Sequence, residues 1–138
     1  MKYEESFGVI PLSKERGHWE VFLIQHRHGG YWGFPKGHAE LNETPQEAAF
    51  RELKEETHLD FVSFLREEPF MEQYRFFADG KKISKKVFYF VAQVTGEVKL
   101  QPEENQAGML LPLPQALEQV THQEGKSILA EVAKMLPF

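Results

Sequence analysis

The stretch from Thr44 to Glu56 restricts the fold of this chain more than any other segment. Thr44 is a hydroxyl residue that can cap a helix, Pro45 suits the first helical position, and Glu47 stands at the third. In such a capping box the hydroxyl and the carboxylate each accept a hydrogen bond from a backbone amide at the helix start. The pattern therefore predicts a helix that begins at about Pro45 and ends at about Glu56 or Thr57.

That helix carries three carboxylates on one face. At about 100° per residue, Glu52, Glu55 and Glu56 fall within an arc of about 100°. Exposed helix surfaces usually place lysines four residues after glutamates, whereas Glu52 here meets Glu56 at that spacing, which is mildly destabilising. Mg²⁺ prefers oxygen ligands and would turn the repulsion into attraction. The alternative is an acidic surface exposed to solvent, which is where charged residues usually lie.

The rest of the chain predicts a sheet with helices on both faces. The segment around residues 33–37 reads as a shaped loop, Asp79-Gly80 favours a tight hairpin, and the segment from Pro114 onwards favours one or two amphipathic helices. The stretches typical of strands are 6–12, 19–25, 59–64, 71–77, 86–94 and 109–113. These elements predict a single α/β domain in which a mixed sheet lies between two helical layers.

Composition limits the classes of function. The formal net charge of −5 gives no long-range attraction to duplex nucleic acid, so phosphate binding would need a local basic cluster or metal ions. The absence of cysteine excludes disulfides, zinc–thiolate sites and thiol nucleophiles. Neither a signal peptide nor an apolar run of about 20 residues is visible. We expect a cytoplasmic protein that does not bind membranes, and a monomer is compatible with the sequence.

Residues 37–59 resemble the signature of the Nudix hydrolases, in which a glycine, a glutamate and the run Arg-Glu-aliphatic-X-Glu-Glu-X-Gly-aliphatic stand at fixed spacings. One residue departs from it, because His58 stands where the signature has glycine. That glycine usually ends the helix in a left-handed conformation, which histidine adopts at some cost. The departure therefore bears on stability rather than on chemistry. The matching residues are Gly37, Glu43, Arg51, Glu52, Leu53, Glu55, Glu56 and Leu59.

The resemblance implies a Nudix fold over residues 1–138, an α/β/α sandwich with a mixed sheet and a loop–helix–loop catalytic motif. It also implies that Mg²⁺, with Mn²⁺ as a substitute, supports attack of water on a phosphorus atom of a small nucleotide. Arg51 would orient Glu43 or a neighbouring carboxylate through a bidentate pair. The implied metal ligands are Glu52, Glu55, Glu56 and the carbonyl of Lys36, and the implied catalytic residues are Glu43, Arg51, Glu52, Glu55 and Glu104.

Within this family, the run Phe34-Pro35-Lys36-Gly37-His38 looks like the P-K-G-H segment of asymmetrical diadenosine tetraphosphate hydrolases. The likeness implies that Lys36 and His38 contact phosphates. The alternative for both is an exposed position in a surface loop. Trp32, just before this loop, is predicted either to line the site or to pack in the core.

Two later segments carry the same likeness. Lys85 and Lys86 would approach the phosphates, and Tyr89 would stack on adenine. Because strand residues alternate, Lys85, Val87 and Tyr89 share one face. The alternatives are core packing for Tyr89 and a solvated strand edge for the lysines. Glu104 aligns with a further functional glutamate, as a ligand or a general base, although a solvated acidic loop is also compatible with it.

The resemblance as a whole implies hydrolysis of a phosphoanhydride bond. The first expectation is asymmetrical cleavage of diadenosine tetraphosphate to ATP and AMP. Removal of pyrophosphate from RNA 5′ ends or from a nucleoside triphosphate, as MutT-type enzymes do, is the alternative reaction. A non-catalytic nucleotide-sensing module is the alternative from another class, but a sensor has no need to keep all three helix glutamates.

Overall fold

The structure is a computed structural model that describes residues 1–27, 29–100 and 105–136, and for residues 105 and 106 only the backbone. The described residues form eight strands, which are β1 Lys2–Ser13, β2 Glu20–His26, β3 Trp32–Gly33, β4 Lys36–Gly37, β5 Asp60–Phe64, β6 Phe70–Ala78, β7 Lys81–Thr95 and β8 Asn105–Pro112. The same part of the chain contains three helices, α1 Pro45–Thr57, α2 Leu113–Gln119 and α3 Gln123–Met135.

The strands form one mixed sheet. The order β3-β2-β1-β7-β5 runs along its main path, and β4, β6 and β8 pair with β1, β7 and β2. The two longest strands, β1 and β7, are parallel neighbours at the centre, whereas the other pairs are antiparallel. The predicted mixed sheet is confirmed.

The core consists of two apolar layers, one on each side of the sheet. Strand β2 supplies both, because neighbouring residues face opposite sides: Val21 and Leu23 belong to one cluster, and Phe22 and Ile24 to the other. The first cluster includes Leu129 of α3 and the second includes residues of α1. Helices therefore cover both faces, which confirms the predicted three-layer α/β arrangement.

Helix α1 begins and ends as predicted. The Thr44 hydroxyl accepts a hydrogen bond from the Glu47 amide, and the Glu47 carboxylate accepts one from the Thr44 amide. His58 follows the helix with φ of 64°, in the left-handed conformation. The histidine thus takes the backbone conformation that favours glycine.

Other local predictions have mixed outcomes. Asp79 and Gly80 form the predicted hairpin turn between β6 and β7, both with positive φ. The segment around residues 33–37 was predicted to be an irregular loop, yet it contains the short strands β3 and β4, which pair with β2 and β1. Among the described residues, no helix has both the length and the apolar composition needed to cross a membrane.

Candidate active site

A cleft of about 530 Å³ opens where the exposed face of α1 meets strands β1, β4 and β7. We call it the carboxylate cleft. It brings together acidic groups of the helix and its preceding loop with basic groups of the sheet. The residues that line it are Ser6, His26, Lys36, Gly37, His38, Ala39, Glu40, Arg51, Glu52, Glu56 and Lys85.

Arg51 is the centre of the acidic side of the cleft. Its Nε and Nη2 donate to the two carboxylate oxygens of Glu43 at 2.7 and 3.1 Å, which is the bidentate contact expected from the sequence. Nη1 donates to Glu52 at 3.0 Å and to Glu55 at 3.2 Å. Nη2 also donates to the carbonyl of His38 at 2.8 Å, which ties the loop to the helix. These hydrogen bonds raise the pKa of Arg51 and lower the pKa of Glu43.

The three helix glutamates lie in different surroundings. Glu56 is 3% exposed, whereas the Glu55 side chain is 49% exposed and Glu52 lies between these extremes. Glu52 packs against the backbone of Gly37 so closely that any side chain at Gly37 would collide with its carboxylate. Across the described ranges, no three His, Asp or Glu side chains are close enough together to hold a metal ion. In this structure Glu52 and Glu55 are instead hydrogen-bonded to Arg51.

The donor chemistry nevertheless fits a hard cation. Glu52 and Glu56 are carboxylates that line the same cleft, and Gly37 leaves room for the Glu52 carboxylate beside the loop backbone. Oxygen donors of this type, completed by water and phosphate, are what Mg²⁺ prefers. The Glu56 carboxylate is buried in the wall of the cleft, where it interacts electrostatically with Lys36. Glu52, Glu55 and Glu56 therefore remain the ligands that we propose for a divalent cation.

Two lysines form the basic side. Lys36 on β4 and Lys85 on β7 both line the cleft. Burial lowers the pKa of Lys36, and burial with the neighbouring charge of Lys36 lowers the pKa of Lys85 to about 8. Two partly desolvated ammonium groups repel each other, and a polyphosphate between them would relieve that repulsion. The pair is therefore suited to hold phosphate oxygens.

Two histidines line the cleft in different ways. His26 lies close to the Phe34 carbonyl, with 3.2 Å between Nε2 and the oxygen, and burial lowers its pKa to about 4. His26 is therefore neutral near pH 7. His38 is exposed, and its Nε2 lies 3.7 Å from a carboxylate oxygen of Glu4. Its position at the mouth of the cleft is compatible with the predicted phosphate contact.

A second cavity, of about 280 Å³, adjoins the cleft through Lys36, which lines both. We call it the aromatic pocket. Tyr31 and Tyr74 belong to its wall, and Tyr31 stacks on His26 with ring centroids 4.5 Å apart. No sequence motif predicted this pocket, although the alternation of strand residues places Glu72 and Tyr74 on one face of β6. Its lining residues are Tyr31, Lys36, Glu72, Tyr74, His122 and Glu124.

The structure places three predicted site residues elsewhere. Lys86 is exposed on the face of β7 opposite Lys85, because strand residues alternate, and it does not line the cleft. Tyr89 is 4% exposed and packs edge-on against Phe34 in the core, so its ring offers no open face to a base. The core-packing alternative is thus the observed one for Tyr89.

Trp32 is also a packing residue. It contacts the cluster beneath α2 and α3, and its amide donates to the Thr121 hydroxyl at 2.8 Å. It joins β3 to the loop before α3 and is part of neither cavity wall. Glu104, the predicted further ligand or general base, lies outside the described residues.

Known proteins match the chain in sequence and in fold. The model of the NUDIX domain family matches residues 2–132. An RNA pyrophosphohydrolase of Nitratiruptor sp. is 40% identical over 106 residues, which are 74% of this chain and 66% of that protein. The asymmetrical bis(5′-nucleosyl)-tetraphosphatase of Rattus norvegicus is 33% identical over 116 residues, which are 81% of this chain and 77% of that protein.

A solved structure shows the same fold. The binary complex of the Caenorhabditis elegans Ap4A hydrolase superposes with a TM-score of 0.69 and 25% identity, and covers 94% of this chain and 95% of that chain. The chain spans 66% or less of the length of several curated relatives that it matches. The family match extends through every strand and into the last helix, and it includes the whole loop–helix segment that builds the carboxylate cleft. The chain belongs to the NUDIX domain family.

Proposed function

We propose that the protein hydrolyses a phosphoanhydride bond of a nucleoside polyphosphate with the help of Mg²⁺, and that it cleaves diadenosine tetraphosphate asymmetrically to ATP and AMP. One observation carries the proposal. Acidic groups suited to a divalent cation and two half-buried lysines face each other across a single cleft. Mg²⁺ neutralises phosphate charge and lowers the pKa of bound water when it is present in such a site.

The chain's own residues supply the positioning. Lys36 and Lys85 would hold the phosphates, and the exposed His38 would add a contact at the mouth. Arg51 keeps Glu43 ionised through its bidentate contact, and Glu43 in turn accepts a hydrogen bond from the Glu40 amide at 2.8 Å. These hydrogen bonds hold the loop of residues 38–44, between β4 and α1, against the helix. Phosphoryl transfer depends mainly on such positioning and on charge stabilisation.

The aromatic pocket would hold one nucleoside. Lys36 lies in the walls of both cavities, so a phosphate bound there would leave its attached nucleoside beside Tyr31 and Tyr74. Stacking of a base on an aromatic side chain is worth about 1–3 kcal/mol. This arrangement supports a substrate with a base at a defined distance from the cleaved phosphate.

The relatives support the same substrate class. The names of the rat relative and of the Caenorhabditis elegans structure both refer to hydrolysis of a dinucleoside tetraphosphate. Product analysis tests the proposal: the protein is incubated with Mg²⁺ and diadenosine tetraphosphate, and the nucleotides are separated. ATP with AMP is the expected result. Two ADP would contradict asymmetrical cleavage, and no turnover would contradict the proposed substrate.

A second candidate reaction is removal of pyrophosphate from RNA 5′ ends, which the Nitratiruptor relative favours through its 40% identity. Triphosphorylated RNA is therefore assayed in parallel with diadenosine tetraphosphate. Turnover of RNA alone would select this second candidate. Binding of nucleotides with no turnover of either substrate would instead favour a sensing module.

A further inference from the structure

The aromatic pocket contains a carboxylate that the proposed hydrolysis does not use. Glu72 lies on β6, two residues from Tyr74 and on the same strand face, and both line the pocket. Strand pairing fixes their position, because Glu72 is opposite Val87 and Tyr74 is opposite Lys85. Glu72 therefore stands beside the aromatic wall on which a base would stack.

A hydrogen bond from Tyr89 orients the Glu72 carboxylate. The buried hydroxyl of Tyr89 donates to Glu72 Oε1 at 3.3 Å. An ionised carboxylate has about four acceptor sites, so this contact leaves capacity for two further donors. Tyr89 thus influences the pocket by orienting Glu72, although its own ring is buried and cannot contact a ligand.

The bases differ in what they offer to such a group. Guanine presents two adjacent donors on its Watson–Crick edge, the N1–H and the 2-amino group, and both can be accepted by one carboxylate. Adenine presents one donor, the 6-amino group, next to the N1 acceptor, whose lone pair would face a carboxylate oxygen. A site built to accept hydrogen bonds discriminates against a ligand that leaves its polar groups unpaired.

We infer that the aromatic pocket is a base-reading site that prefers guanine to adenine, with Glu72 as the residue that reads the base. The inference rests on the proposed function, because it takes the pocket as the nucleoside site. It narrows the preferred substrates to nucleoside polyphosphates in which the base beside the cleaved phosphate is guanine. Diadenosine tetraphosphate would remain a substrate, but a poorer one than its guanosine counterpart.

Binding of nucleoside monophosphates tests this without requiring hydrolysis. GMP, IMP and AMP are titrated into the full chain by calorimetry. GMP offers both donors, IMP keeps N1–H but lacks the 2-amino group, and AMP has neither. The expected order of affinity is GMP, IMP, AMP, with about tenfold or more between the first and the last. Equal affinity for GMP and AMP, or no binding of either, would overturn the inference.

A substitution at Glu72 sharpens the test. Glu72→Gln replaces two acceptors by one acceptor and one donor, which can pair either with N1 and the 6-amino group of adenine or with O6 and N1–H of guanine. The preference for GMP over AMP should therefore fall to about equal affinity. Glu131→Gln, at an exposed position of α3 outside both cavities, is the matched control and should keep the wild-type order. A GMP preference that stays at the wild-type ratio in a folded Glu72→Gln protein would refute the role of Glu72. Loss of the preference in Glu124→Gln alone would also refute it, because the group that selects the base would then be Glu124.

Turnover of diguanosine and diadenosine tetraphosphate separates this inference from the proposed function. Failure to cleave either compound would count against the proposed substrate, while the order of monophosphate binding would still decide the base preference. Cleavage of both at equal kcat/KM would leave the hydrolase proposal intact and overturn the guanine preference.

Discussion

The carboxylate cleft and the aromatic pocket share Lys36 but are built in different ways. Most of the cleft comes from one continuous stretch, residues 36–56, in which a loop and a helix are joined by Arg51. The pocket draws on the loop before β3, on β4 and β6, and on the start of α3. Local sequence therefore determines the chemistry of the cleft, whereas long-range packing determines what the pocket can bind. Substitutions in the two regions should accordingly affect different kinetic constants.

The largest effect is expected in the cleft. Glu55→Gln and Glu56→Gln should each lower kcat by about a thousandfold or more with the fold intact, because each removes a charged ligand from a proposed metal site that supplies several kcal/mol of transition-state stabilisation. Turnover at saturating Mg²⁺ is the measurement. Glu131→Gln, exposed on α3, serves as the control and should keep the wild-type rate. Near-normal rates in both helix variants would remove the basis for a metal site on α1.

His26 connects the two regions, since it lines the cleft and stacks on Tyr31 of the pocket. Its pKa is about 4 in the folded chain, below the unfolded value of 6.5. The unfolded state therefore takes up the proton first, so the contribution to stability is fully present above pH 6.5 and is lost as pH falls toward 4. The shift corresponds to about 3 kcal/mol in the free energy of unfolding.

Chemical denaturation between pH 7 and pH 4 measures this contribution. His26→Gln keeps a side-chain amide that can donate to the Phe34 carbonyl but does not titrate. The unfolding free energy of the wild type should therefore fall by about 3 kcal/mol relative to that of His26→Gln between pH 7 and pH 4. If the unfolding free energies of the wild type and of His26→Gln change in parallel with pH, burial does not hold His26 neutral.

A matched pair of lysines tests the basic side of the cleft. Lys85→Ala should lower kcat/KM by about a hundredfold, because it removes a desolvated charge from the proposed phosphate site. Lys86→Ala removes the same charge from the opposite face of β7, where it is exposed, and should change kcat/KM by less than about threefold. Steady-state kinetics of both variants give the comparison. Equal losses would show that net charge, and not position, is what matters.

The aromatic pocket should influence binding more than chemistry. Tyr74→Ala should raise KM about tenfold with little change in kcat, since stacking on a base contributes about 1–3 kcal/mol. Phe77→Ala is the control, because Phe77 lies on the other face of β6 and is 76% exposed. A fall in kcat at unchanged KM would place Tyr74 in the catalytic step and contradict the division between the two regions.

The same division explains how much the sequence could predict. The capping box at Thr44, the periodicity of α1 and the Asp79–Gly80 turn are local signals, and the structure has each of them. The alternation of strand residues also places Lys85 and Lys86 on opposite faces of β7, although both lysines were predicted to contact phosphates. The burial of Tyr89 and the approach of Tyr31 to His122, with ring centroids 4.9 Å apart, depend on how β6 and α3 pack on the sheet. No local pattern encodes that packing.

The smallest effect is expected at His58, where the chain departs from the family signature. His58 has φ of 64°, and its amide donates to the Lys54 carbonyl at 2.9 Å, so the helix ends in the conformation that glycine adopts without strain. Glycine would remove that strain but would also give the unfolded chain more freedom. His58→Gly should therefore keep activity and change the unfolding free energy by less than about 1 kcal/mol, with no loss of stability. Thermal unfolding and kcat/KM check this, and a clear loss in either would show that the imidazole has a role of its own.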